Sequence, residues 1–263
     1  FIPGPGAQGA RDLRLDGRTL RLVSASIDGV ALSENARTLD DEGLIVPAEH
    51  LPAGGFTWEA VTEIDPAANT ALEGLYMSRG MYCTQCEAQG FRKITFYPDR
   101  PDVMATFRVR IEGAPPGMLS NGNLTASGPG WVEWEDPFPK PSYLFALVAG
   151  ELVAVEDRFI TRSGRDVLLQ IWVRPGDEDR CGYAMDALKR SMAWDERAYG
   201  REYDLDRFMI VAVDDFNMGA MENKGLNVFN SKFVLASPET ATDADYKSIE
   251  TIIAHEYFHN WTG

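Results

Sequence analysis

The chain has 263 residues, 44% of them hydrophobic and 11% aromatic, which is enough apolar side chain for one or two packed domains and too much for a disordered segment. Its 25 Lys and Arg against 40 Asp and Glu give a net charge of −15, a field that repels phosphate and excludes nucleic acid or an anionic membrane as the expected partner. Three cysteines, Cys83, Cys86 and Cys181, are too few for a disulfide scaffold and fit a reducing compartment, so a cytoplasmic location is expected.

No apolar run approaches the roughly 20 residues that span a bilayer. The first residues carry neither an initiator Met nor a basic stretch followed by an apolar one. No secretory signal is expected there, and the natural N-terminus is expected to lie upstream. The first half of the chain reads as β. Residues 20–27 alternate in part and end at the turn pair Asp28-Gly29. Short strands are expected at 43–47, 56–61, 94–97, 103–111, 118–126 and 131–134, with a further strand-length apolar run at 143–149. Asn121-Gly122 and Gly128-Pro129-Gly130 are turn signals. Many short strands broken by Gly and Pro predict an all-β, sandwich or saddle-like domain over residues 1–151.

The pattern then changes. Strands at 153–161 and 167–173 join near Ser163-Gly164. Residues 183–199 read as a helix, from the helical recurrence of Met185, Leu188, Met192 and Tyr199, and Gly200 supplies its stop. Strands at 208–213 and 226–235 precede a final helix over 243–261. Thr242 is the expected N-cap, and Asp243 and Asp245 fall in the first turn, where the helix dipole favours negative charge. Residues 152–263 are therefore expected to form an α+β unit.

His255-Glu256-x-x-His259 lies on that last helix. Side chains four apart share a helix face at about 6 Å, so two imidazoles can bind one ion. Glu256 stands one position after the first His, on the side where a metal-activated water would sit and could give up its proton. A catalytic zinc takes three protein ligands and a water. His255 and His259 are two; Glu222 or another upstream carboxylate is a conceivable third. The remaining histidine, His50, falls in a predicted loop and reads as solvated.

Asn217-Met218-Gly219-Ala220-Met221-Glu222-Asn223 precedes this motif by some 30 residues. Gly-Ala-Met-Glu-Asn followed at that distance by His-Glu-x-x-His resembles the aminopeptidase N family of zinc peptidases, the gluzincins, and in particular its bacterial alanyl members. Leu72-Glu73-Gly74-Leu75-Tyr76, Cys83-Thr84-Gln85-Cys86-Glu87 and Asp136-Pro137-Phe138-Pro139-Lys140-Pro141 carry the same resemblance, which extends from about Leu20 to the end of the chain. It implies an N-terminal β domain followed by the first lobe of a thermolysin-like catalytic domain.

The resemblance also implies roles. His255 and His259 would bind zinc and Glu256 would be the general base. Gly219, Ala220, Met221, Glu222 and Asn223 would run along the substrate, Glu222 would hold its α-amino group, and Glu87 would be a second carboxylate at that amine. Gln85 and Met218 would shape the pocket for the first side chain. From the residues themselves, with no second Cys-x-x-Cys and Cys181 nearly a hundred positions away, Cys83 and Cys86 read as two free thiols framing Gln85 rather than half a zinc ribbon or a redox pair. The family's third zinc ligand is a Glu about eighteen residues beyond His259, so a chain that stops at Gly263 is expected to be a fragment, inactive by itself. The expected partners are peptides with a free N-terminus, met by a monomer. An epoxide-hydrolase relative shares the framework, but Gly219-Ala220 and the Cys-Thr-Gln-Cys-Glu segment favour the aminopeptidase.

Overall fold

The computed structural model describes Phe1, residues 11–113 and residues 115–262. Asp28 and Gly29 both take positive φ, 50° and 77°, the pair a two-residue hairpin requires, and join the strands Arg21–Ile27 and Val30–Ala31. Trp58–Glu63 completes that small sheet, and a second is built from Leu13–Asp16, Gly43–Val46 and Thr38–Asp40. The two enclose Leu15, Ile27, Leu44, Val46 and Phe96.

Residues 94–97 do not form the expected strand. Phe91–Lys93 is a short 3-10 turn, and only Tyr97 bridges to Asp16. Phe91 and Tyr97 instead stack edge to face, and Phe91 also packs against Phe107 and Phe145, so burial rather than a ladder places these side chains.

A four-stranded sheet runs in the order Gly117–Ser120, Leu147–Gly150, Met81–Gln85, Gly74–Ser78. Its hairpin turns at Arg79 and Gly80, again both at positive φ. The expected strand at 118–126 is broken at Asn121-Gly122. Gly122 has φ 87°, and a Cβ there would lie 2.1 Å from the carbonyl oxygen of Glu135, so only glycine fits. The chain resumes as Asn123–Gly128 and returns as Trp131–Lys140, far longer than the expected 131–134. This strand passes Pro137 and Pro139 through a register shift between Asp136 and Lys140 against Ala105–Glu112, the way a strand tolerates residues that cannot donate to the ladder.

The chain then builds a five-stranded mixed sheet in the order Val153–Ile160, Asp166–Val173, Arg207–Val213, Leu226–Asn230, Ala220–Met221. The inner pairings are parallel and both edges antiparallel. Glu151 and Leu152 connect the strand Leu147–Gly150 to the first strand of this sheet. Helix α1 (Gly182–Tyr199) and helix α2 (Asp243–Thr262) cover one face.

Phe208, Ile210 and Ala212 point into the core beneath the helices, with Leu188, Met192, Ile249 and Ile253. Met209, Val211 and Val213 point the other way, into a core shared with Tyr76, Met81, Cys83, Trp134 and Val148 of the N-terminal sheets. Burial on both faces explains the unbroken apolar run over this strand.

Gly200 stops α1 at φ 67°, and its N–H closes on the Glu196 carbonyl. Met185, Leu188 and Met192 are buried as the spacing predicts, each contributing about 1.5–3 kcal/mol. Tyr199 is not. It lies half exposed and packs on Trp194 and Phe258 instead of in the core under the helices. The strand expected at 226–235 ends at Asn230, whose side chain accepts from the N–H of Lys232 and starts a 3-10 turn.

Candidate metal centre and amine site

Helix α2 begins in a reciprocal cap. Thr242 Oγ1 accepts from the N–H of Asp245 at 3.3 Å, and the Asp245 carboxylate accepts from the N–H of Thr242 at 2.8 Å. From that fixed start the helix buries Ile249, Ile253, Glu256 and Tyr257 against the sheet. Glu256 therefore stands on the apolar side of the helix, while His255 and His259 project one turn apart beside it. Their Nε2 atoms face each other at 3.1 Å, with the rings at 82°.

Two ring nitrogens bound to one tetrahedral ion at bonds of about 2.0–2.1 Å lie about 3.3 Å apart. The observed separation matches that edge. His259 Nδ1 and Glu256 Oε2 are buried and have no hydrogen-bond partner, and Glu222, Glu256 and His259 bring ligand atoms within 4.8 Å of one another. The donor set fits a divalent metal.

Burial pushes the Glu256 carboxyl up to about 8, and the negative charges of Glu222 and Glu87 add to the shift. Glu87 is itself raised, by burial and by Glu222, and is drawn down by His259. Glu87 follows the strand Met81–Gln85 and Glu222 follows Ala220–Met221, so two separate sheets deliver carboxylates to one place. Like charges gathered this way, beside the facing imidazoles of His255 and His259, suit a cationic ligand.

Gln85 Nε2 lies 3.2 Å from Met218 Sδ and 3.6 Å from Met221 Sδ, and the Gln85 side-chain oxygen Oε1 is buried without a partner. The hairpin that carries Gln85 is tied to the loop before Met218. Tyr76 Oη donates to the Asp215 carbonyl at 2.9 Å, and Ser78 Oγ donates to the Asp215 carboxylate at 2.8 Å. Ala220 and Met221 pair with Phe229 and Val228 at the edge of the mixed sheet, and the N–H of Asn230 reaches the Gly219 carbonyl at 2.9 Å. Their other edge has no partner strand among the described residues. Asn223 is 1% exposed, and neither polar atom of its amide has a partner.

Sequence reasoning missed Tyr143. It lies partly buried beside the site, and both Glu222 and Glu87 raise its phenol beyond what burial does. Together with Glu87 and Arg92 it lines a cavity of about 660 Å³. No local pattern marks a tyrosine after a proline-rich strand for this place. Cys83, Cys86 and Cys181 are free and buried, and burial pushes the Cys83 thiol up to about 12, so it stays protonated. His50 ends a short exposed turn beside Glu49.

Residues 8–144 match the model of the peptidase M1 N-terminal domain, and residues 183–263 match that of the peptidase family M1 domain. Aminopeptidase N of Caulobacter vibrioides is 60% identical over 258 residues, covering 95% of this chain and 30% of that protein. Aminopeptidase N of Escherichia coli is 56% identical over 265 residues, covering 97% and 30%. A crystal structure of Legionella pneumophila aminopeptidase A in complex with aspartic acid superposes with a TM-score of 0.93 at 38% identity, over all of this chain and 32% of that one. The chain thus spans about 30% of the length of the curated relatives it matches. Among the described residues no helix is long and apolar enough to cross a membrane. The chain belongs to peptidase family M1, a family of metallopeptidases.

Proposed function

We propose that this chain carries the metal-binding helix and the amine-binding carboxylates of a zinc aminopeptidase, which releases N-terminal residues from peptides. The observation that carries the reading is the meeting of Glu222 and Glu87, from two sheets, beside the imidazole pair of His255 and His259. Two imidazoles with carboxylate oxygens form a donor set typical of zinc. When bound, zinc supplies Lewis acidity toward the scissile carbonyl and an acidified water.

The chain's own residues do the rest. Glu222 and Glu87 hold the substrate ammonium by charge-assisted hydrogen bonds, which selects the chain end and aligns the first carbonyl in one contact. The free edge of Ala220–Met221 takes the peptide backbone as an added strand. Gln85 and Met218, with Met221 behind, bound the first side chain, a lining suited to neutral and basic residues. Glu256 accepts the water's proton and returns it to the leaving amine. Three buried free thiols support a reducing, cytoplasmic location.

The test is Glu256→Gln in the full-length protein, assayed on an alanyl chromogenic substrate with zinc stoichiometry measured alongside. Turnover is expected to fall by at least about a hundredfold, the lower range for a lost acid–base group, with zinc retained. Turnover within a few-fold of the parent would refute the assignment.

A further inference from the structure

The strand Ala220–Met221 is only two residues long, too short to fix the carboxylate that follows it. The anchor lies at Lys224. Its Nζ donates to both carboxylate oxygens of Asp204 at 2.9 Å and to Asn260 Oδ1 at 3.1 Å, which uses all three of an ammonium's donors. Asn260 Nδ2 closes the triangle on Asp204 at 3.4 Å. The ammonium also sits 4.3 Å over the Phe138 ring, and the Lys224 side chain is 13% exposed.

Its partners come from different elements. Asp204 belongs to the connection between α1 and the strand Arg207–Val213, and Asn260 is the residue after His259 on α2. The backbone of Lys224 is held from the N-terminal sheets. Its carbonyl accepts from Asn121 Nδ2 at 2.9 Å, while the same buried side chain donates to the Leu144 carbonyl and accepts from the N–H of Ala146 at 2.7 Å. One residue, two positions after Glu222, is thus tied to α2 through its side chain and to the β region through its backbone.

We propose that Lys224 is a positioning residue of the amine site. Its ammonium, held between Asp204 and Asn260, sets where the Glu222 carboxylate stands relative to the metal-binding face of α2. An exopeptidase needs that distance fixed, because the anchored amine determines which carbonyl reaches the metal. The inference rests on the reading of Glu222 as the amine anchor.

The experiment measures two inhibition constants in the full-length protein: n-butylamine, which probes the amine site without a metal-binding group, and acetohydroxamate, which probes the metal. Lys224→Met is expected to raise the butylamine constant about tenfold while the acetohydroxamate constant moves less than about twofold, as displacement of one anchor requires. KM for an alanyl substrate should rise more than kcat falls, with zinc stoichiometry kept. Glu222→Gln is the reference. If it leaves butylamine binding unchanged, the amine-anchor reading fails. If it weakens butylamine binding and Lys224→Met does not, the positioning role is overturned. Equal loss of both inhibitors, or of zinc, would overturn it too, by assigning Lys224 a purely structural part. Should Lys224→Met not accumulate as folded protein, Asn260→Ala decides in the same way, since it cuts the tie to α2 and leaves the Lys224–Asp204 pair.

Discussion

In the metal-free protein Glu256 holds its proton to about pH 8 against an ordinary value of 4.5, because it is buried and faces Glu222 and Glu87. A divalent ion held at His255 and His259 reverses that balance, since a dication a few ångströms away favours the carboxylate. Metal binding should therefore expel the Glu256 proton. A group titrating near 8 is about 0.9 protonated at pH 7, about 0.5 at pH 8 and about 0.1 at pH 9.

Calorimetric titration of zinc into chelator-stripped protein, in buffers of different ionisation enthalpy, counts the protons released. The same titration of Glu256→Gln removes this one group and leaves every other contribution in place. The difference should be about 0.9 proton at pH 7 and shrink to about 0.1 by pH 9. Equal release by the two proteins at pH 7, or a difference that does not shrink, would refute the electrostatic account. The sign for stability follows from the same shift. The folded metal-free protein binds more protons than the unfolded chain between about 4.5 and 8, so this group's contribution to stability falls as pH rises through that window.

Lys140 and Asp136 form a pair at 3.0 Å with side chains 2% and 0% exposed. Lys140→Met leaves the carboxylate buried and unpaired and should cost about 3–5 kcal/mol in denaturant unfolding. Gly122→Ala should cost about 2 kcal/mol or more by the same measurement, since a Cβ 2.1 Å from a backbone oxygen at φ 87° has nowhere to go. Met218→Ala removes a wall that Gln85 touches at 3.2 Å. The ratio of kcat/KM for a leucyl over an alanyl substrate should shift by about tenfold, the effect of altering a side-chain pocket by a methylene or two.

The juxtaposition of His255 and His259 was legible because it is local: four residues of helix bring the two rings together whatever the rest of the chain does. The start of that helix was legible for the same reason, through the Thr242–Asp245 cap. Burial facing was harder. Helical period alone put Tyr199 in line with Met192, but which of the two the rest of the fold covers is a tertiary fact. The strand Trp131–Lys140 runs well past the expected 131–134, through Pro137 and Pro139, because a bulge removes the demand for a donor at those positions.

The hairpin Gly74–Ser78 and Met81–Gln85 carried a recognisable motif but no clear strand alternation, since Cys83, Thr84 and Gln85 are consecutively buried. Nothing in the sequence near Lys224 points to Asp204, 20 positions earlier, or to Asn121, 103 positions earlier. Such contacts exist only once the sheets have met.

The strand Arg207–Val213 sends alternate side chains into two cores, one of which is supplied largely by the N-terminal sheets. Anyone shortening this protein will meet that arrangement first. A version begun after residue 151 would turn Met209, Val211, Val213 and Val228 toward water as a continuous greasy surface, and would be expected to come out of the cell as inclusion bodies rather than as a smaller folded protein. The N-terminal region is in this sense an obligate half of the mixed sheet's interior, and reporter fusions or crystallisation trials should carry both or neither.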